Sequence, residues 1–222
     1  MIKKVLILIA ISFNTYALDL FKAEYEVYKD GKKIGLSNTE LTENAPFFTI
    51  TDNTNGTHGM ASFLGFKRHE TTPFTEKNKQ FLPESYEMKQ KVAFNKRQSE
   101  FQVDSENQMA YGSYKGDDWQ MKTPAVFSTT NLVSLNLFTD ICAGKTSGLD
   151  YQVLKDGKIK NYSFKITSQK DGIIEVDKVH SKASRITKTW LDKNQKCLPV
   201  KTYHIEEGED SVETKLIKVM FN

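Results

Sequence analysis

The sequence predicts a mainly β protein built from antiparallel hairpins, arranged as a sandwich or barrel, with one helix near the middle of the chain. Three observations predict this fold class. Apolar and polar residues alternate through most of the chain, which is the period of half-buried strands. Turn dipeptides separate these stretches at close, regular spacing and give about a dozen strands. One apolar segment departs from the alternation and has helical spacing. Parallel folds built from βαβ units are therefore disfavoured.

The strands and turns follow one another along the chain in both halves. Apolar residues alternate with charged ones from Phe21 to Val27. The dipeptide Asp30-Gly31 then suits a type I′ hairpin turn, because both central residues of that turn take positive φ. The same dipeptide returns in the second half at residues 156–157 and 171–172. These repeated signals predict a continuous succession of hairpins.

One segment, residues 126–141, has apolar residues at mixed helical spacings and is followed by Gly144, a plausible helix stop. Apolar residues cover most of the circumference of this predicted helix. Such a helix is stable only when it is covered on nearly all sides. We therefore expect it to lie against or inside the curved sheet.

The N-terminus has the parts of a secretory signal peptide. Two lysines precede an apolar run over residues 5–11, and residues 15–17 place small side chains where a signal peptidase reads. The run is too short for a transmembrane helix, which needs about 20 residues, so an uncleaved anchor is the weaker alternative. We expect a signal peptide over residues 1–17 and one β-rich domain over residues 18–222, without a transmembrane segment in the mature chain.

Charge and cysteine content narrow the class of protein further. Without the two N-terminal lysines, the formal net charge of +3 falls to about +1, with acids and bases interspersed, and this overall balance argues against electrostatic capture of nucleic acid or anionic lipid. Cys142 and Cys197 are the two cysteines of the chain. In an exported protein a disulfide between them is the natural expectation, with two buried free thiols as the alternative.

No residue pattern in the sequence indicates a catalytic or metal-binding site. The string Gly144-Lys145-Thr146 ends like a phosphate-binding loop, but it lacks the first glycine and follows a helix instead of a strand. The four histidines are far apart in sequence and form no metal motif. We therefore predict a protein that is not an enzyme and that has no catalytic residue, no cofactor and no metal site.

Several short motifs resemble the exported bacterial family catalogued as domain of unknown function 3108. They are the strand over residues 21–27 with its turn and Ile34-Gly35, the strand start at residues 81–86, and the hairpin from Trp190 to Val200. The resemblance implies a long antiparallel sheet curled into an open or partial barrel, with the helix on its concave side. It also implies a periplasmic location. Family members often carry an acidic residue and an arginine around the helix, which residues 131–139 lack.

The apolar and aromatic content predicts a non-catalytic module that binds a hydrophobic or lipid-like ligand in the concave face of the sheet. The residues expected to line such a cavity are Phe63, Phe66, Leu132, Leu135, Phe138 and Trp190. The glycine-punctuated segment 59–66 is expected to be either a mobile lip or an edge strand packed on the helix. The alternative function is a cell-envelope protein that docks a protein partner through sheet edges or hairpin tips.

Overall fold

The computed structural model describes residues 18–77 and 80–222, so the predicted signal peptide lies outside the described residues. Within them the chain forms fifteen strands and two α-helices. The strands of the first half are β1 (Phe21–Lys29), β2 (Lys32–Asn44), β3 (Phe47–Gly56), β4 (Lys67–Lys77), β5 (Gln80–Pro83), β6 (Ser85–Val92), β7 (Asn95–Asp104), β8 (Met109–Tyr114) and β9 (Asp117–Lys122). Those of the second half are β10 (Leu149–Lys155), β11 (Lys158–Lys170), β12 (Ile173–Val179), β13 (Arg185–Asp192), β14 (Leu198–Glu206) and β15 (Val212–Phe221).

All of these strands belong to one antiparallel sheet that does not close on itself. Its order is β10-β11-β12-β13-β14-β15-β1-β2-β3-β4-β6-β7-β8-β9, with β5 paired beside β4. Each half of the chain is a meander of hairpins, and pairing of the first strand with the last joins the two halves. The edges of the sheet are therefore β9 and β10, which neighbour each other in sequence on either side of the mid-chain segment.

Side chains, not a strand ladder, bridge the gap between these two edges. Phe127 and Leu154 pack in one buried cluster with Phe101 and other residues of β6 to β8, and Trp119 of β9 packs against it. Before the second helix, Ser128 pairs in parallel with β10 and covers part of its edge. The sheet is thus curled, with its ends held together by packing.

The longer helix, α2 (Leu132–Cys142), lies on the concave face of the sheet and confirms the mid-chain prediction. Six of its eleven residues are buried, and most of them belong to the main core together with residues of many strands, among them Phe21, Ile50 and Phe74. The helix starts later than the apolar pattern suggested, because Val126 is 44% exposed and residues 129–131 bind the sheet instead. No helix among residues 18–77 and 80–222 is long and apolar enough to cross a membrane.

The segment 59–66 contains the short helix α1 (Gly59–Phe63), followed by a turn. It connects β3 to β4 at one end of the sheet, and the backbone N–H of Gly56 donates to the carbonyl of Phe66 at 2.8 Å. The edge-strand interpretation of this segment is therefore wrong. Gly59 has a positive φ, in the left-handed region, and turns the chain out of the sheet. The next three residues, Met60, Ala61 and Ser62, are compatible with a helix.

The expected disulfide is present between Cys142 and Cys197, whose Cα atoms are 5.8 Å apart. It joins the last residue of α2 to the residue before β14. Cys197 itself is fully buried within the main core. The bridge therefore fixes the C-terminal end of the helix to the concave face.

We expect the double substitution Cys142→Ser and Cys197→Ser to lower the free energy of unfolding by about 4 kcal/mol, because it frees a loop closed over 55 residues. Urea denaturation without reductant measures this loss. Reduction of the wild-type protein should lower its unfolding midpoint to about that of the double variant. The midpoint of the double variant should not change on reduction. Equal midpoints for wild type and variant would contradict a stabilising role for the bridge.

Candidate functional site

A row of polar side chains crosses the concave face where α2 begins. Thr39 of β2, Asp52 of β3 and Glu70 of β4 are directly opposite one another in adjacent strands, so their side chains share one face. The next residue in this row is the buried Met88 of β6. The row is therefore on the inner side of the sheet, beside the core.

Glu70 is the best-connected member of the row. One carboxylate oxygen accepts hydrogen bonds from the hydroxyl of Tyr86, at 2.9 Å, and from the hydroxyl of Thr130. The other oxygen forms an ion pair with Arg68, at 2.6 Å. Glu70 is only 5% exposed. Its negative charge is therefore neutralised inside the protein and ties β4 and β6 to the residues that lead into the helix.

A second set of hydrogen bonds fixes the first turn of α2. Asn131 accepts hydrogen bonds from Thr72, at 2.6 Å, and Thr129, at 2.8 Å, and donates to the carbonyl of Ile50, at 3.3 Å. The backbone N–H of Leu132 donates to the hydroxyl of Thr129 at 3.2 Å. These contacts satisfy polar groups that the buried helix start would otherwise leave without partners.

Asp52 differs from Glu70 because no cation of the described residues lies within ion-pair distance of its carboxylate. The hydroxyl of Thr39 donates to one of its oxygens. Burial raises the pKa of Asp52 to about 7, and the charge of the neighbouring Glu70 adds to this effect, while the hydrogen bond from Thr39 opposes it. Asp52 is thus a half-buried carboxyl group that titrates near neutral pH.

Asp52 faces a cleft of about 200 Å³ between α2 and the inner side of β1, β2, β3, β14 and β15. The apolar side of the cleft includes Phe21, Phe138 and Leu198. Its polar side carries hydroxyl groups beside Asp52, and some of these pair with one another, as do Thr202 and Thr214 at 2.7 Å. The cleft therefore offers an apolar wall and one carboxyl group to a small molecule.

Three of the residues expected to line a cavity lie on α2. Phe138 does line the cleft. Leu132 and Leu135 are 0% and 1% exposed, respectively, and fill the main core below it. The space between helix and sheet is thus largely occupied by packed side chains, and the cleft is one of the openings that remain beside the helix.

The other three residues lie elsewhere, which corrects the expected lining. Phe63 is 82% exposed on α1, and Phe66 is half-buried in the loop that follows. Trp190 is on the outer side of the sheet, where its indole N–H donates to Glu175 at 3.2 Å. The next residue, Leu191, is fully buried, and successive side chains of a strand point to opposite faces.

We expect Glu70→Ala to lower the free energy of unfolding by about 3 to 5 kcal/mol, because it leaves the Arg68 charge and two hydroxyl groups without their partner. The matched control is Glu87→Ala on the outer face, where the ion pair with Lys89 is solvated and should contribute less than about 1 kcal/mol. Chemical denaturation of both variants tests this. Equal losses would show that the Glu70 contacts do not hold the sheet.

Comparison with solved structures identifies a protein of similar fold. No family model matches the chain, and no curated protein matches it. A solved structure from Brucella abortus, described as a beta-barrel-like protein of domain of unknown function DUF1849, is similar with a TM-score of 0.56 and 10% sequence identity. The alignment covers 92% of this chain and 98% of that one. At this identity the likeness shows a shared fold: a β-barrel-like sheet that extends over nearly the whole chain.

Proposed function

We propose that this protein is an exported, periplasmic module of the kind represented by domain of unknown function 3108, and that it binds a small amphiphilic ligand without chemical change. The observation that carries the proposal is Asp52, a half-buried carboxyl group that faces the cleft beside α2 with no described cation to pair with it. Burying a charged group without a partner is unfavourable. A ligand that supplies the missing partner would recover that energy.

The two walls of the cleft define the chemistry of the ligand. The apolar wall with Phe21, Phe138 and Leu198 suits a hydrocarbon chain or ring. Asp52 suits a hydrogen-bond donor, and a protonated amine most strongly, because a charge-assisted hydrogen bond in a partly dry site is strong. The volume of about 200 Å³ is below the common range for drug-sized ligands, roughly 300 to 1,000 Å³. The ligand is therefore compact, or only the end of a lipid-like molecule enters.

Two further observations support binding in an exported protein. Several hydroxyl groups around the cleft pair with one another, as in Ser37 with Thr54 at 2.8 Å and Thr202 with Thr214 at 2.7 Å, and such pairs lack the base that would activate a nucleophile. The disulfide between Cys142 and Cys197 is typical of proteins that fold in an oxidising compartment. Together with the sequence of residues 1–17, it favours export.

Calorimetric titration with hexylamine and with hexanol tests the proposed ligand class. Hexylamine should bind and raise the melting temperature, while hexanol, which has the same hydrocarbon body without the charge, should bind at least about tenfold more weakly. Asp52→Asn should remove the preference for the amine. Asp118→Asn, an exposed carboxylate of β9, is the control and should keep it. Equal binding of the two probes, or of hexylamine to both variants, would overturn the proposal.

Asp52→Asn should also stabilise the protein above neutral pH. The folded-state pKa of Asp52, about 7, is higher than its ordinary value of 3.8, so the folded state binds the proton more tightly than the unfolded state. Stability therefore falls as the pH rises from about 3.8 to about 7, and the asparagine variant lacks this loss. Thermal denaturation should show the largest gain near pH 8 and a gain that shrinks toward pH 4. A gain independent of pH would show that the charge of Asp52 is not its cause.

A further inference from the structure

Three apolar side chains project together from one end of the sheet, and we call this group the tip. They are Met60 and Phe63 on α1 and Phe94 in the turn between β6 and β7, with exposed fractions of 66%, 82% and 101%. The backbone N–H of Ala93 donates to the carbonyl of Leu64 at 2.7 Å, which holds the two loops side by side. Single exposed apolar residues are ordinary, but a held group of this kind indicates an interaction surface.

The loops that carry the tip contain almost no charge. Residues 57–66 include no Asp, Glu, Lys or Arg, and neither does the turn over residues 92–95. His58 is the one titratable side chain in these two segments. The tip can therefore leave water for a less polar medium without the cost of burying a charge.

Directly behind the tip, three lysines form a row on the outer face of the sheet. Lys67 of β4 lies opposite Lys91 of β6, which in turn lies opposite Lys96 of β7. All three are exposed, and none has a carboxylate of the described residues within ion-pair distance. Like charges directly opposite each other across strands are destabilising. The lysine row is thus an uncompensated patch of positive charge that would gain from a bound anion.

The tip and the lysine row meet at the strand ends. Lys67 follows the loop that contains α1, and Lys91 and Lys96 flank the turn that contains Phe94. The lysines also line a shallow groove of about 350 Å³ on the outer face. The apolar side chains of the tip and the lysines behind them match two layers of an anionic bilayer. The tip would meet the hydrocarbon region, and the lysines would meet the phosphate groups that cover it.

From this arrangement we infer that the tip enters the interfacial region of a bilayer that contains anionic lipid, while the lysine row binds lipid phosphate groups. A protein partner suits the tip less well. A specific protein interface buries at least about 1,000 Å² with good shape complementarity, and three side chains on protruding loops offer less. Phenylalanine and methionine at such positions are instead suited to the boundary between lipid headgroups and acyl chains. This surface is separate from the cleft that contains Asp52.

Vesicle co-sedimentation tests the inference with residues 18–222, which contain every described strand and lack the apolar run over residues 5–11. The vesicles are phosphatidylcholine alone or phosphatidylcholine with one quarter phosphatidylglycerol. We expect binding to the mixed vesicles, weaker binding to phosphatidylcholine, and release as the salt concentration rises. No binding to the mixed vesicles at low salt would overturn the inference.

Two sets of variants separate the contributions of the tip and the lysine row. Phe63→Ser with Phe94→Ser should weaken binding more than about tenfold, whereas Val179→Ser with Ile217→Ser removes exposed apolar side chains elsewhere and should have little effect.

Replacing Lys67, Lys91 and Lys96 by alanine should weaken binding about a hundredfold, since each lysine near the surface contributes about fivefold. The control with equal net charge replaces the exposed Lys122, Lys165 and Lys170 by alanine.

Insertion of the tip has its own readout. In Phe94→Trp, the added indole should shift its fluorescence to shorter wavelength on mixed vesicles and be quenched by brominated acyl chains. If test and control variants lost binding equally, or if the indole at the tip showed no spectral shift, general charge attraction and not this surface would be responsible for vesicle binding. Asp52→Asn should bind vesicles like wild type, so failure of the ligand proposal leaves this test unaffected.

Discussion

The constraint on which the structure depends is that α2 has apolar side chains to bury over most of its circumference. Its buried residues point in several directions, from Leu132 and Val133 to Phe138 and Ile141. A flat sheet covers only one side of a helix, whereas a sheet that curls around the helix covers most of it. Curling also brings the two edge strands close enough for Trp119 and Leu154 to pack in one cluster. The open-barrel shape is thus the consequence of covering one apolar helix.

Hydrophobic burial alone does not fix where the helix lies along the sheet, and the polar contacts at its two ends provide that specificity. At its start, Glu70 and Thr72 of β4 bind Thr130 and Asn131, while at its end a disulfide holds Cys142. Hydrogen bonds of this kind are directional, so they admit one position of the helix where apolar contacts would admit several. Asp52 belongs to the same row but has no cation of the described residues at ion-pair distance, and the proposed ligand site rests on this difference.

The fold could be predicted from the sequence because its signals are local. Alternation of polarity in β1 and the Asp-Gly turns depend only on neighbouring residues, and the structure follows them closely. The site could not be predicted in this way. Ile50 lies two residues from Asp52, Thr72 lies two residues from Glu70, and both are buried. Because alternate residues of a strand point to the same face, this spacing was the signal in the sequence that the two carboxyl groups face inward. That the two carboxyl groups are opposite each other depends on the register of β3 with β4, which no local pattern determines.

The pairing of β1 with β15 has a consequence for how the chain folds. Because Phe21 lies opposite Phe221, the centre of the sheet is assembled from the first and the last of the described strands. Until β15 has been made, β1 lacks one of its two neighbours in the sheet. Contacts between such distant parts of a chain form slowly. Completion of the curled sheet, and with it of the cover over α2, is therefore expected to be a late event in folding.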